Sequence, residues 1–374
     1  MTINPRELRK RIELDGATST VNHLTESLKQ GDLKPDDFSL RDLAESFMPD
    51  GFAQIEQMET LLEDAAIPLV NVVGAVIETK ILEAYNQGVF AASKLVRTIP
   101  TRLNGEKIHT MGTIAEANLA VAAGAEYGTA NLHADYIETP VTAKHGLIIP
   151  VTKEAVFFDQ THHLLERAAE VGEILALNKE RRILDMILGL TNTYRYNGIQ
   201  RNTYYPGGGS QPWKNLLSGN ELLNWGSIET AENVFGEMVD PISGNPILIE
   251  PNAVLVMPPK RHLAHRLFYA SSISYEEGST SAAIRNPFAK YRLVSSRLAY
   301  QRLQSQSITN PEKVWFIGNF RKAFAYMENW GITVTKSLPG SESDFVKDVV
   351  VRFKASERGT PAVLDPRYVV KCTG

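Results

Sequence analysis

The chain has 374 residues, too many for one compact core and suited to two lobes. Hydrophobic residues make up 43% and charged residues 22%, which excludes a globally disordered chain. The formal net charge of −4 excludes the overall basic surplus with which a protein clamps nucleic acid by its phosphates.

Cys372 is the only cysteine, so neither an intrachain disulfide nor a cysteine-based zinc site can form. The opening MTINPRELRKRIELDG has no apolar h-region and does not read as a signal peptide. The most apolar early run, AAIPLVNVVGAVIE, is broken by Pro68 and Asn71. It falls short of the ~18 apolar residues of a membrane span. A soluble protein of a reducing cytoplasm, with no membrane partner, is expected.

Residues 1–64 differ from the rest of the chain. Arg6, Arg9, Lys10 and Arg11 form a basic cluster. Between Asp32 and Asp64 stand ten acidic residues and only two basic ones, Lys34 and Arg41. Gly16, Gly31, Pro35, Pro49 and Gly51 interrupt the helical pieces. Such a segment is expected to bury little apolar surface of its own. It reads either as an arm laid on something else, such as a neighbouring subunit, or as a partly ordered tail.

LVNVVGAVIETKILEAYN (69–86) carries Val73, Ile77, Ile81, Leu82 and Tyr85 at helical spacing. Leu95, Arg97 and Ile99 then alternate as in a strand, and Asn104-Gly105 signals a tight turn. From there to Gly146 the chain is rich in Ala, Gly, Thr and Asn and offers no core. As an extended hairpin with arms of about 20 residues at ~3.3 Å each, it would reach roughly 60 Å. A two-stranded ribbon of that length is not stable alone in water and must lie on a partner.

GLIIPVTKEAVFF (146–158) reads as a buried strand, followed by a helix at about 161–189. Helices are predicted at 228–238 and 260–270, with a short buried strand at 252–259 and another at YRLVSS. The strand-to-helix order suggests an α/β lobe. The end of the chain is strongly β, in five runs: VWFIGNF, KAFAYMENW, GITVTKS, DVVVRFKASE and AVLDPRYVVKC.

The densest polar constellation lies on the helix at 161–189. At ~100° per residue, Asp159, His163, Glu166, Glu170, Glu173 and Arg181 share one arc, and Leu164, Leu165, Ala168, Val171, Leu175 and Met186 the opposite one. The spacings His162–Glu166 and His163–Glu166 admit a metal or acid/base site, although the two His are adjacent and lie ~100° apart. A helix of roughly 29 residues, about 43 Å long, also suits a structural strut with a solvated or subunit-facing arc. His262 and His265 share a helix face, but Arg261 and Arg266 flank them and disfavour a bound cation. PGGGS lacks the pattern of a phosphate loop, and neither GxGxxG nor GxSxG occurs. No catalytic group and no cofactor is assigned, and the chain is not expected to be an enzyme.

Several segments resemble those of tailed-phage major capsid proteins of the Hong Kong 97 type: EAYNQGVFAASKLVRTIPTRLNGEKI, YIETPVTAKHGLIIPVTKEAVFFD, LNKERRILDMILGLTNTYRYNG, WFIGNFRKAFAYMENWGITV and FKASERGTPAVLDPRYVVKC. They run from about residue 70 to the end. The resemblance implies an α+β phage capsid fold. Its parts would be an N-terminal arm (1–68), a first peripheral part (69–100), an extended β-hairpin loop (101–147) and a peripheral domain with a long spine helix (148–190). An axial domain (191–315) and a C-terminal β segment (316–374) would complete it.

The implied function is a structural subunit that self-assembles into hexamers and pentamers of an icosahedral capsid. That shell would enclose double-stranded DNA without sequence-specific binding, in a virion assembled in the host cytoplasm. Scaffolding protein, portal and decoration proteins are the implied partners besides the chain itself. Arg102, Glu106 and Lys107 on the loop, and Asp159, His163 and Glu166 on the helix, are the candidate inter-subunit contacts. The lysine–asparagine cross-link of some such shells could use Lys107 or Lys144, with no matching Asn and Glu in sight. Two alternatives stand beside this reading. One is an encapsulin-type nanocompartment subunit, and the other a metal-dependent enzyme using His162, His163 and Glu166.

Overall fold

The structure is a computed structural model. It describes residues 5–47, 58–88, 90–109, 123–124, 126, 136–152, 155, 158, 160–191, 194–208, 213–240, 245–277, 280–337 and 349–374. The fold is α+β and divides into two compact units. Unit 1 holds Met1–Val89, Lys144–Asn178 and Trp330–Arg358. Unit 2 holds Phe90–Ala143, Lys179–Asn329 and Gly359–Gly374.

Unit 1 begins with α1 (Pro5–Asp15), α2 (Ala17–Gln30) and α3 (Leu40–Phe47), which pack with the long α4 (Met58–Gln87). Gly31, at φ 82°, stops α2 in the left-handed conformation that glycine adopts without a Cβ penalty. The expectation that residues 1–64 bury little apolar surface is corrected here. Leu8, Val21, Leu24, Leu28, Phe38, Leu43 and Phe47 are all buried in one core. The apolar residues are few, but Val21, Leu24 and Leu28 form a single stripe at helical spacing. That stripe packs in a core with Val72, Val73, Val76, Ile77 and Ile81 of α4. Helix α4 also starts earlier than the predicted 69 and runs through Pro68.

The rest of unit 1 is sheet and helix. Strand β4 (Ala143–Thr152) and parts of β13 (Phe324–Lys336) and β14 (Val349–Val363) contribute here, with the first part of α6 (Thr161–Ile187). Ile149, Val151, Val351, Phe353 and Ala355 meet Leu164, Leu165, Ala168 and Leu175 in the same core. Strand β4 is less buried than predicted: Leu147 and Ile148 are exposed, because β4 is an edge strand of its sheet. The predicted runs KAFAYMENW and GITVTKS are one continuous strand, β13, that passes through Gly331 without a turn.

Unit 2 is built on a five-stranded mixed sheet in the order β11 (Arg292–Ser295), β8 (Ala253–Val256), β12 (Trp315–Gly318), β15 (Val369–Cys372) and β7 (Leu216–Leu217). Trp315 stands opposite both Val256 and Cys372. The strands are buried on both faces, so successive residues enter two different cores. Leu255, Val294, Phe316 and Val369 join Ile183, Leu184 and Ile187 of α6 and Leu303 of α9 (Arg297–Ser305). Val254, Val256, Trp315, Ile317, Val370 and Cys372 join Ile228 and Phe235 of α7 (Trp225–Gly236), and Ala264 and Phe268 of α8 (Arg261–Tyr269). The strand-to-helix step from β8 to α8 is as the sequence predicts.

Unit 2 also carries α5 (Ala92–Leu95), β1 (Arg97–Pro100) and α10 (Phe320–Ala323). Strand β1 pairs in parallel with Ala325–Glu328 of β13. A small antiparallel sheet orders β2 (Lys107–His109), β3 (Tyr136–Glu138), β5 (Arg195–Tyr196) and β6 (Ile199–Gln200). A separate hairpin pairs β9 (Ser272–Glu277) with β10 (Thr280–Arg285).

Candidate functional site

The first candidate surface is the base of the Ala/Gly/Thr-rich excursion. Its outgoing and returning strands meet side by side, with Lys107 opposite Glu138 and His109 opposite Tyr136. The predicted turn at Asn104-Gly105 is present, with Gly105 at φ 88°. The Asn104 Oδ1 accepts from the Thr142 backbone N–H (3.1 Å) and hydroxyl (3.0 Å), which ties the turn to the returning chain. The Glu106 N–H donates to the Thr139 hydroxyl at 2.8 Å, and the Thr139 N–H donates back to the Glu106 carbonyl at 2.9 Å. The residues between His109 and Tyr136 that would form the far end of the ribbon lie largely outside the described residues.

Lys107 is exposed and sits over the Tyr136 ring, 4.3 Å from its centroid. Its Nζ lies 3.8 Å from Glu138, which in turn lies 3.8 Å from Arg195 on the next strand. A cation–anion–cation row thus crosses three neighbouring strands. In solvent such a row contributes little stability. Arg102 is exposed just before it, and Glu106 is half-buried. Sequence reasoning found Lys107 but missed Glu138 and Arg195. Their signal is the pairing of Lys-Ile-His with Tyr-Ile-Glu, which puts opposite charges on one face.

The second candidate surface is the outer arc of α6. Glu166 lies between the two histidines, 3.3 Å from His162 Nε2 and 4.0 Å from His163 Nδ1. All three are exposed. The Arg167 Nε–H donates to His163 Nε2 at 3.3 Å, so the nitrogen a metal would need already faces a cation. Among the described residues no group of three or more His, Cys, Asp or Glu could hold a metal ion. Asp159 lies outside the described residues.

Chemistry-bearing residues that the sequence did not flag are structural. Glu180, on the same helix, is 1% exposed, and its carboxylate accepts from Ala92 N–H, Ser93 N–H and the Ser93 hydroxyl. Asp185 accepts two bonds from the Arg302 guanidinium, at 2.7 and 2.8 Å. That pairing holds the guanidinium above its usual pKa. Glu221 is held below the usual carboxylate range by Lys260, with Lys313 adding to the effect. Each of these groups braces one element against another.

The sequence model of a family described as phage capsid protein matches residues 136–372. The match begins at the first residue of β3 and ends at the last residue of β15, covering more than half of the 374 residues. The chain belongs to the phage capsid protein family. A phage capsid protein is a structural subunit of the virion shell, and copies of itself are its first partners. No curated protein matches the sequence.

Among solved structures, this phage capsid protein is similar to the capsid of a native GTA particle, at 10% identity and a TM-score of 0.46. The likeness covers 76% of this chain and 89% of that one. It is also similar to a chain from Mycobacterium phage Ogopogo, at 14% identity and a TM-score of 0.42, over 77% of this chain and 93% of that one. An encapsulin complex from Synechococcus elongatus matches at 12% identity and a TM-score of 0.41, over 75% and 85%.

Proposed function

We propose that copies of this chain assemble into hexamers and pentamers that close into an icosahedral shell around double-stranded DNA. The observation that carries the reading is the family match over residues 136–372. Residues 101–147 would be the extended loop lying across a neighbour, and residues 1–68 an arm whose helices would brace the assembled shell. Residues 69–100 and 148–190 would serve as the peripheral domain, residues 191–315 as the axial domain and 316–374 as the C-terminal β segment. Exposed Arg102 and Lys107 with half-buried Glu106, and the outer arc at His163 and Glu166, are assigned to inter-subunit contacts. Asp159 is assigned to the same arc on its sequence position alone.

The two surfaces suit that role physically. Both carry charges of mixed sign at or near the surface, which fix register between subunits more than they add affinity. Scaffolding, portal and decoration proteins are proposed as further partners, with assembly in the host cytoplasm. Electron microscopy of the expressed chain, alone and with its scaffold, tests the reading. Closed shells are expected, and monomers or dimers under all conditions would overturn it.

A further inference from the structure

The net charge of −4 hides a strong local asymmetry. Residues 260–302 carry eight Lys or Arg side chains against two Glu, so this part of unit 2 is basic in an acidic chain. Helix α8, with the sequence RHLAHRLFY, contains no acid at all. Its inner face is fixed: Ala264 and Phe268 are fully buried, and the Phe268 ring packs edge-on to Tyr291 at 5.8 Å. Its outer face presents Arg261, His262, His265 and Arg266, all exposed.

These four side chains form two i,i+4 pairs, Arg261 with His265 and His262 with Arg266, which lie side by side on the surface. Among the described residues none of the four takes part in an ion pair. The nearby carboxylate of Glu221 is already held between Lys260, at 2.5 Å, and Lys313, at 3.2 Å. Within the helix the His265 ring packs against Tyr269, at 4.9 Å. The two arginines leave this helix face with a positive charge that no acid of the helix compensates, and an anionic partner can neutralise it.

We propose that this face of α8 docks the phosphate backbone of double-stranded DNA; the inference rests on the reading of the chain as a DNA-enclosing shell subunit. Arg261 and Arg266 offer planar forks that match phosphate oxygens, and His262 and His265 add N–H donors between them. Contacts of this kind position DNA without reading its sequence. The competing occupant is the acidic stretch at 32–64 of a second copy. Its carboxylates are in part engaged within their own unit: Asp36 holds Lys80 at 2.9 Å, and Asp37 accepts from the Lys34 N–H at 3.0 Å. That leaves phosphate as the better match.

The test is fluorescence anisotropy of a labelled duplex of about 30 base pairs with the full chain, across a series of salt concentrations. Each phosphate contact adds ~0.9 to the slope of log K against log salt. R261Q/R266Q is expected to weaken binding by about tenfold or more at low salt and to lower that slope by about two. Circular dichroism checks that the variant folds, and Arg266→Gln alone, expected to lower the slope by about one, serves if the double variant does not. Parental affinity and slope in a folded variant would overturn the proposal. So would polyglutamate displacing the duplex as well as unlabelled DNA does, which would point to an acidic protein segment instead. Shell formation, read separately by electron microscopy, distinguishes failure of this inference from failure of the capsid reading.

Discussion

Glu180 holds Ser93 by two hydrogen bonds at once: its Oε2 accepts the Ser93 N–H at 2.9 Å and the Ser93 hydroxyl at 2.6 Å. The other oxygen accepts the Ala92 N–H at 2.6 Å. The carboxylate therefore satisfies the first N–H groups of α5 from a helix 87 residues away in sequence. Helix α5 leads directly into β1 and the turn at Asn104, so this contact anchors the start of the excursion. Truncation to alanine leaves the buried Ala92 N–H and the part-buried Ser93 N–H without an acceptor. Glu180→Ala is expected to lower stability by on the order of 3 kcal/mol. Glu180→Gln should cost less, because one acceptor oxygen remains. Urea denaturation of the three proteins checks the order, and a Glu180→Ala midpoint equal to the parent's would refute the account.

Gly172 lies in the middle of α6, where glycine normally weakens a helix. A Cβ there would stand 2.4 Å from the Ile81 carbonyl oxygen and 3.1 Å from the Ala84 Cβ, both on α4. The missing side chain is what lets the two helices approach. On an exposed helix Gly→Ala gains about 1 kcal/mol. Here Gly172→Ala should instead cost about 1–3 kcal/mol through overpacking. The sign of the change in thermal midpoint decides between the two.

These two contacts mark the limit of what the sequence discloses. Helix α6, and the β8-to-α8 step, are legible because apolar residues recur at a regular period. The outer arc with His162, His163 and Glu166 is legible for the same reason, although its spacing still admits a metal site until Arg167 is seen against His163. Glu180 cannot be read this way, since a buried acid looks like a surface acid until its distant partners are known. Gly172 carries one faint signal, a glycine among good helix formers, and nothing in the sequence says what it touches. The helices of residues 5–47 hide because their apolar stripe is thin and is completed by α4. Lys107 is legible as a charge at a strand start, but the row through Glu138 and Arg195 depends on strand register.

Two neighbours on β15 give the protein an alkaline signature. The Lys371 amine packs over the Tyr204 and Phe316 rings and donates to the Leu188 carbonyl at 2.8 Å. Burial lowers its pKa from 10.5 to about 8. Between those values the unfolded chain binds more protons than the folded one, so this group's contribution to stability rises with pH. The Cys372 thiol points to the opposite face and is fully buried. Burial pushes it up from 9.0 to about 12, against a smaller opposing effect of the Asn220 contact. Its contribution is intact below the unfolded value and is lost as pH climbs through that window. The parent is therefore expected to gain stability from pH 7.5 to about 9 relative to Lys371→Met, whose profile should be flatter. Urea midpoints at the two pH values check this, and equal slopes would rule out a buried neutral amine.

The excursion gives the sharpest test of assembly. From the sequence alone, deleting about residues 104–140 is expected to leave a folded core and block shells. The structure narrows that cut. Ile137 is 2% exposed and belongs to the core with Leu184, Tyr194 and Phe316, and β3 pairs with both β2 and β5. Removing β3 would thus destabilise unit 2 and make the absence of shells uninformative. His109 and Tyr136 face each other in register, so a two-residue Asn-Gly turn can join them. Replacing residues 110–135 by that turn should not lower the thermal midpoint of the isolated chain, because shortening the loop about 13-fold reduces its closure cost by ~2 kcal/mol, a rise of a few degrees. The same protein should form no closed shells in the electron microscope, because the surface proposed to lie across a neighbour is gone. Intact shells from a folded, loop-shortened chain would show that this excursion is not an assembly element.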